Sequence, residues 1–378
     1  MKKLTSYNLK DFAILSLALL LASNAAISGT LPFMKTSLGI SMEASEFLIT
    51  LSSIATVLAI SLSEFITRRL GIKKTVELGL SLVFISSLTP LIKTTYPSIF
   101  LSRIILGLGL GLFNGHSANY ISALYDGKKL YRLLGLRNAM EFVGQVLLLI
   151  LAGFLIKISW VYGFLSYSLA FFILLLFRSR VPDIRIEKEE GRFRINKQVL
   201  FYVSFAGLMI MNVNAIVVRL PSLVSQSLGL SSNINAIMVL LPLAGMVAGI
   251  LFARINKILG AKTPLLGLIL YMLANLGMGL LGHRLWIFIG FMVLVAFSQS
   301  LCFPYLFAEV SRFSRGSANR IINNLIFIAC NIGGFLSPFF LRAFSFIKED
   351  SLTGAFLVFP IIYLGFFLVM LAEYLRVK

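Results

Sequence analysis

Twelve apolar runs, each of about 20 residues, divide this chain of 378 residues. A run of that length is what an α-helix needs to cross a hydrocarbon core roughly 30 Å thick. They lie near 12–33, 45–66, 75–94, 97–119, 134–156, 160–178, 198–220, 233–254, 263–282, 285–308, 318–344 and 352–373. Lipid offers no hydrogen bonds, so a spanning segment must satisfy its own backbone, as a helix does. An all-α membrane protein with twelve transmembrane helices is therefore expected. The balance of side chains agrees: 58% are hydrophobic and 13% charged, against roughly 25% charged in an ordinary soluble domain.

The net charge of +19 could suggest a nucleic-acid partner, but the basic residues come in short clusters between the apolar runs. With both termini cytoplasmic, the inner segments hold 26 of the 34 Lys and Arg residues. That asymmetry orients the chain and excludes nucleic acid as the partner. A multi-pass protein of the cell (plasma) membrane is expected. Trp160 and Trp286 fall at outer span edges, as in an aromatic belt. The N-terminal MKKLTSYNLKDFAILSLALLLA imitates a signal peptide, yet its apolar run continues to Pro32 without a clear small-residue cleavage site. It reads as a retained first span. Cys302 and Cys330 both lie in apolar spans, and His116 and His283 stand alone, so neither a disulfide framework nor a metal site is expected.

The longest polar stretch, Arg178 to Lys197, separates six spans from six. The sequence also repeats. Leu31-Pro32 followed by SLGIS (Ser37–Ser41) matches Leu220-Pro221 followed by SLGLS (Ser227–Ser231). Gly71 in RRLGIKK matches Gly260 in KILGAK, 189 positions later, and Asn138 pairs with Asn323. A duplicated six-helix unit explains this offset. The expected domains are an N-terminal six-helix bundle over 1–177, a cytoplasmic linker over 178–197 and a pseudo-symmetric C-terminal bundle over 198–378. Parallel repeats of this kind place a binding site between the halves, near the bilayer midplane.

The most unusual span contains RIILGLGLGLFNGHSANY, from Arg103 to Tyr120. At 100° per residue, Arg103, Gly107, Gly111, Asn114 and Ser117 share one helical face. The glycines admit a neighbouring helix, and the polar groups should face protein or water rather than lipid. The bland alternative is that Arg103 snorkels to the outer surface. His116 points away from this face and reads as interfacial or structural.

Twelve spans in two sets of six, joined by a charged loop, resemble the major facilitator superfamily, and the resemblance covers essentially the whole chain. The superfamily's loop after span two reads Gly, three residues, Asp-Arg-x-Gly-Arg, then Arg or Lys. Here Arg69, Gly71 and Lys73 fit it, while Glu64, Arg68 and Ile72 replace the first glycine, the aspartate and the second arginine. Glu64 could supply the missing carboxylate to Arg68 one helical turn on. The resemblance implies that this loop latches the halves as they rock. Arg103 with Gly107, Gly109 and Gly111 is similar to the fourth-span motif, whose arginine is associated with proton transfer in proton-coupled members. In the fifth span, antiporters carry Gly, three residues, Gly-Pro, two residues, Gly-Gly. This chain has Gly144, Ala152 and Gly153 but Leu148-Leu149 at the Gly-Pro position, which weakens the case for antiport. The segment 132–182 is similar to the drug-efflux-like bacterial members.

Glu141 stands out as the carboxylate well inside a span, with Arg137, Asn138 and Gln145 on the same face of span five. Such an acid is a natural proton carrier, and the alternative is a static Arg137–Glu141 pair holding helices together. Arg103 enters from the opposite edge, so a direct ion pair between Arg103 and Glu141 is not implied. In span seven Asn212 and Arg219 share a face, and their repeat equivalents are Ser23 and Thr30. In the superfamily the first helices of the two halves face each other, which makes these four binding candidates, although Arg219 could merely be interfacial. Asn24 and Asn214 are weaker choices. Gln299, Asn324 and Asn331, with Asn114, Ser117, Asn138 and Gln145, complete the expected polar lining.

Abundant Met, Phe and Tyr suit an adaptable cavity for apolar or cationic compounds. The function expected is secondary active transport of a small solute by alternating access, as proton-coupled efflux of amphipathic, drug-like compounds. A facilitator or symporter for a sugar or organic anion is the alternative, since Arg103 and Arg219 could hold an anion. A membrane-embedded enzyme or lipid-handling protein is more distant, because no nucleophile–base arrangement lies within the spans. No Gly-Lys-Ser/Thr phosphate loop appears, so the proton gradient rather than ATP or a bound cofactor is the expected energy source. The partners expected are the bilayer, protons and one small-molecule substrate, with the chain acting as a monomer.

Overall fold

The apolar runs fold as helices, and the first of them breaks. The structure, a computed structural model, describes residues 9–184, 197–229, 233–313, 317–347 and 352–377. Run one begins as α1 (Leu9–Ser16), passes through short 3-10 turns at Leu17–Leu20, Ser23–Ala25 and Ser28–Thr30, and resumes as α2 (Leu31–Leu38). Its two parts bend by 47°. The cause is local. Ser16 donates to the Ala13 carbonyl (2.9 Å) and Thr30 to the Ile27 carbonyl (2.6 Å), bonds that compete with the helical ladder. Pro32, in the first turn of α2, has no N–H to give.

The following elements are α3 (Met42–Leu70), α4 (Ile72–Ile92), α5 (Tyr96–Phe113), α6 (His116–Leu124) and α7 (Gly127–Ile156). A 3-10 stretch, Trp160–Ser168, then leads into α8 (Leu169–Arg180). Beyond the linker come α9 (Lys197–Leu228), α10 (Ile234–Met238), α11 (Leu240–Leu259), α12 (Thr263–Leu281), α13 (Leu285–Phe313), α14 (Ser317–Ala343) and α15 (Phe359–Val377). The described residues contain no strand. They supply eleven helices long and apolar enough to cross a membrane, and the bent first pair makes twelve. Of the linker expected over 178–197, residues 185–196 lie outside the described residues.

The chain forms two compact units. One comprises Met1–Thr30 with Leu51–Lys188, the other Leu31–Thr50 with Glu189–Lys378. The boundary therefore falls within the continuous helix α3, and the hairpin formed by α2 and the start of α3 packs with the second unit.

Glycine sets the closest helix approaches in each unit. In the first, a Cβ at Gly107 would run into the Ser52 carbonyl, one at Gly111 would lie 2.5 Å from the Ala59 Cβ, and one at Gly109 would lie 2.6 Å from the Gly79 carbonyl. So α5 nests against α3 on one side and α4 on the other. Gly144 of α7 presses on the backbone of Leu19 in the broken span. In the second unit Gly333 of α14 presses in the same way on Gly207 of α9. Gly333 follows Gly144 by 189 positions and Gly207 follows Leu19 by 188, so one helix crossing occurs once in each unit. Backbone conformation repeats too. The positive-φ glycines of the described residues are Gly39 (62°), Gly71 (84°), Gly229 (85°) and Gly260 (54°), which form two pairs offset by 190 and 189. Each ends a helix at a tight turn, where side chains other than glycine are strained.

Large apolar side chains such as Phe172, Ile250, Ile361 and Trp286 stay uncovered by protein. Such a surface would drive aggregation in water, whereas hydrocarbon solvates it. Large apolar side chains such as Phe113, Phe164, Phe205 and Phe288 fill the interiors of the units.

The glycine notch gives a direct expectation. Gly107→Val should force α3 and α5 apart and lower stability by about 3 kcal/mol or more, because the added carbons meet backbone. Gly115→Ala, with open space around it, should change stability by no more than about 0.5 kcal/mol. Thermal melting of both variants in the same detergent decides the point.

Candidate functional site

Arg103 is fully buried in the first unit and does not snorkel. Its Nη1 donates to the Tyr167 hydroxyl (2.9 Å), and its Nη2 donates to the Ser52 hydroxyl (2.8 Å) and the Asn24 carbonyl (3.2 Å). These partners come from the 160–168 stretch, α3 and the broken first span. The break matters, because a regular helix would have used the Asn24 carbonyl internally. The Asn24 side chain joins in, accepting from Ser52 (3.0 Å) and donating to Ser53 (3.4 Å). The face shared by Arg103, Gly107 and Gly111 is thus the face that meets α3. Thr56 closes it by donating to the Gly107 carbonyl (3.1 Å).

Asn114 and Gly115 interrupt the regular hydrogen bonding but keep right-handed helical backbone angles, and the span continues as α6, where Ser117 meets α7. There Arg137 Nε donates to the Ser117 hydroxyl (2.9 Å) and Nη1 to the Asn138 amide oxygen (3.1 Å), while the Glu141 carboxylate stands 3.8 Å away. Arg137 is nearly enclosed, but the Glu141 side chain is 39% exposed. The guanidinium is fixed by two neutral acceptors, and the Glu141 carboxylate stands just beyond hydrogen-bond distance of it. Gln145 follows on the same face, half-buried. His116 is buried, with Nε2 3.1 Å from the Thr67 hydroxyl and Nδ1 3.4 Å from the Asn119 amide nitrogen, which is a helix-tying role.

In the second unit Asn212 is buried against Asn275 of α12. Asn212 donates to the Asn275 oxygen (2.6 Å), and Asn275 returns the bond (3.1 Å). That closed pair joins two helices. Its repeat equivalent Ser23 is fully buried, with no hydrogen-bond partner for its hydroxyl among the described residues, and Thr30 donates to the Ile27 carbonyl. Arg219 is buried too, with its Nη1 3.1 Å from Glu46, a carboxylate wholly enclosed by protein. Gln299 is half-buried, Asn324 is exposed, and Asn331 donates to the Phe327 carbonyl (2.9 Å).

At the end of α3, Glu64 pairs with Arg68 at 2.5 Å on an exposed surface. Arg69 lies over the Phe65 ring, and Lys73 donates to the Arg178 carbonyl (3.0 Å), tying this turn to the end of α8. Among the described residues, no group of three or more His, Cys, Asp or Glu side chains is placed to hold a metal.

Sequence reading missed Tyr167, Asn275 and Glu46. The first two carry no local signal, since their partners lie 64 and 63 positions away. Glu46 did carry one. It sits at the edge of an apolar run, as Arg219 does, and opposite charges at two such edges invite a pairing test.

A helical, duplicated, lipid-facing architecture with polar groups sequestered inside each unit defines a multi-pass membrane protein of the transporter class. The sequence pattern of the Major Facilitator Superfamily matches residues 13–338, and the chain belongs to that superfamily. Solved structures share the fold at low identity. A POT family transporter in complex with 5-aminolevulinic acid is 12% identical, with a TM-score of 0.81 over 100% of this chain and 98% of that one. The inward-open xylose transporter XylE from E. coli is 15% identical, with a TM-score of 0.75 over 95% and 94%. The nucleoside transporter NupG is 14% identical, with a TM-score of 0.71 over 97% and 99%. Among curated proteins, none matches the sequence.

Arg103 anchors three segments, and hydrogen bonds to a charged group contribute roughly 1.5–3 kcal/mol each. Arg103→Ala should therefore lower stability by about 3 kcal/mol or more, and Arg103→Lys, which cannot span the three acceptors, should recover only part of it. An unchanged melting temperature in the Ala variant would show that the cluster holds nothing together.

Proposed function

We propose that this superfamily member is a secondary active transporter that exports small amphipathic, drug-like compounds across the cell membrane by alternating access, driven by proton entry. One observation carries this reading: Glu141, a carboxylate midway along a membrane helix, lies 3.8 Å from Arg137, beyond hydrogen-bond distance, while Arg137 is held by Ser117 and Asn138. A carboxylate in that position can take up a proton without first breaking a tight hydrogen bond, and the fixed arginine can stabilise it once the proton leaves. Arg103 contributes a permanent buried positive charge within the same unit.

The candidates for solute contact are polar groups that keep free surface, Asn138 and Gln145 in the first unit and Gln299, Asn324 and Asn331 in the second, each among abundant Phe and Met side chains. Asn212, Ser23 and Thr30 support helix packing in this reading more than they touch solute. The turn carrying Glu64, Arg68, Arg69, Gly71 and Lys73 would guide the conformational change on the cytoplasmic side, where both termini lie. The proton gradient supplies the energy, no bound cofactor takes part, and the monomer is the working form.

A second reading is a facilitator or symporter of a polar metabolite. It is supported by the named solutes of proteins with similar folds, which include a D-xylose–proton symporter. The two readings part in proteoliposomes under an imposed pH gradient. Gradient-driven movement of a lipophilic cation dye should fall about tenfold or more in Glu141→Gln, the loss expected when a coupling group is neutralised. Equal movement in parent and variant removes Glu141 from coupling. Gradient-driven uptake of a pentose or organic anion, with no dye movement, favours the second reading.

A further inference from the structure

Glu46 is the most completely enclosed carboxylate of the described residues, at 0% exposure, and its arrangement with Arg219 is an unusual way to bury two charges. The two meet through one contact of 3.1 Å, between Glu46 Oε1 and Arg219 Nη1. Neither carboxylate oxygen of Glu46 nor the Arg219 Nε has a hydrogen-bond partner among the described residues. Around the contact stand soft groups. Met42 Sδ lies 3.6 Å from Arg219 Nη1 and 3.7 Å from the Ser222 hydroxyl, and Phe47, next to Glu46, packs edge-on against Phe335 and Phe339 of α14. The charged groups that act on the pair are Glu43, one turn earlier on α3, and Arg342 of α14, which acts on Glu43.

A buried ion pair with few supporting hydrogen bonds stabilises little, because its attraction barely offsets the loss of hydration. Removing the charge from one partner is another matter, since the other is then buried alone. Arginine does not give up its proton in proteins, so only Glu46 can switch. We propose that Glu46 and Arg219 form a proton-released latch. With Glu46 ionised, the pair holds the Leu31–Thr50 hairpin on α9 and α14. When a proton from water bonds to the carboxylate, Arg219 is left unpaired in an apolar collar, and the hairpin lets go so that the guanidinium can reach water. The contact is thus present on the alkaline side of the Glu46 titration and lost on the acid side. The latch is separate from Glu141 and independent of which solute is carried.

The test uses the full chain in lipid nanodiscs, with Cys302 and Cys330 replaced by Ala and spin labels on cysteines introduced at the exposed positions Thr36 and Ala343. Distances between the labels are measured by pulsed electron resonance at about pH 8 and about pH 3.5, which lie on either side of ordinary glutamate titration at about 4.3. The parent should gain a longer-distance population on acidification, its ratio to the short one changing about tenfold per pH unit through the transition, as one proton requires. Glu46→Gln should show the long population at both pH values. Arg219→Gln should respond with opposite sign, closing on acidification, because Glu46 is then the group buried alone when charged. The double Gln variant, with no buried charge, should stay closed throughout and serves as the folded reference. A parent distribution that ignores pH overturns the proposal, and so does a Glu46→Gln variant that keeps the parent's response.

Discussion

Hydrocarbon offers no hydrogen bonds, and that one constraint explains most of what this chain does with its polar atoms. Each helix satisfies its own backbone, and each polar side chain inside a span must find a partner within the protein. The exceptions cluster where the backbone ladder is interrupted. The broken first span releases the Asn24 carbonyl, and Arg103 takes it. Serine and threonine hydroxyls elsewhere fall back on their own helix, as Thr56 does with the Ser52 carbonyl at 2.8 Å while also reaching across to Gly107. Close approach is the precondition for such bridges. Without Gly107 and Gly111, α5 could not come near enough to α3 for Arg103 to reach Ser52.

Duplication is visible at three levels. It is in the text of the chain, as Leu-Pro followed, after four residues in one half and five in the other, by Ser-Leu-Gly. It is in the backbone, where positive φ recurs at Gly39 and Gly229 and again at Gly71 and Gly260. It is in the packing, where Gly144 on Leu19 and Gly333 on Gly207 make the same crossing. The chemistry does not repeat. Arg103, Arg137 and Glu141 have Met292, Ile326 and Cys330 at the corresponding offset of 189. The repeat thus keeps the mechanical parts, turns and crossings, while Arg103, Arg137 and Glu141 stand in one copy without a charged counterpart in the other. That separation is what a scaffold needs if its two units are to perform different tasks with one architecture.

The spans, the repeat and the glycine face were legible because each depends on neighbours in sequence: run length, fixed spacing, helical periodicity. The Glu64–Arg68 pair was legible for the same reason. Partners were not. Asn212 looked like cavity lining until Asn275, on another helix, closed a two-way amide bond with it. The bend in the first span also escaped, since Ser16 and Thr30 tip the balance only when packing leaves their hydroxyls no better acceptor. Glu46 was hidden by a boundary. Its run begins at 45, which suggests an exposed edge, yet α3 starts at Met42 and the hairpin carries this second turn fully inside.

Three buried arginines therefore have three different characters. Arg103 donates to a phenol, a hydroxyl and a carbonyl, none of which changes charge by taking up a proton at the pH of a cell. Its positive field is permanent, and its bonds fix the geometry of the broken span. Arg137 divides itself between two neutral acceptors and a carboxylate 3.8 Å away, so its place is set independently of the acid it faces. Arg219 depends on one enclosed carboxylate and a thioether, so its place is set by that acid alone. Sensitivity to protons should rise in this order, because it is governed by the share of an arginine's support that a proton can remove. An arginine held by neutral groups is scaffold, and one held by a single acid is a moving part.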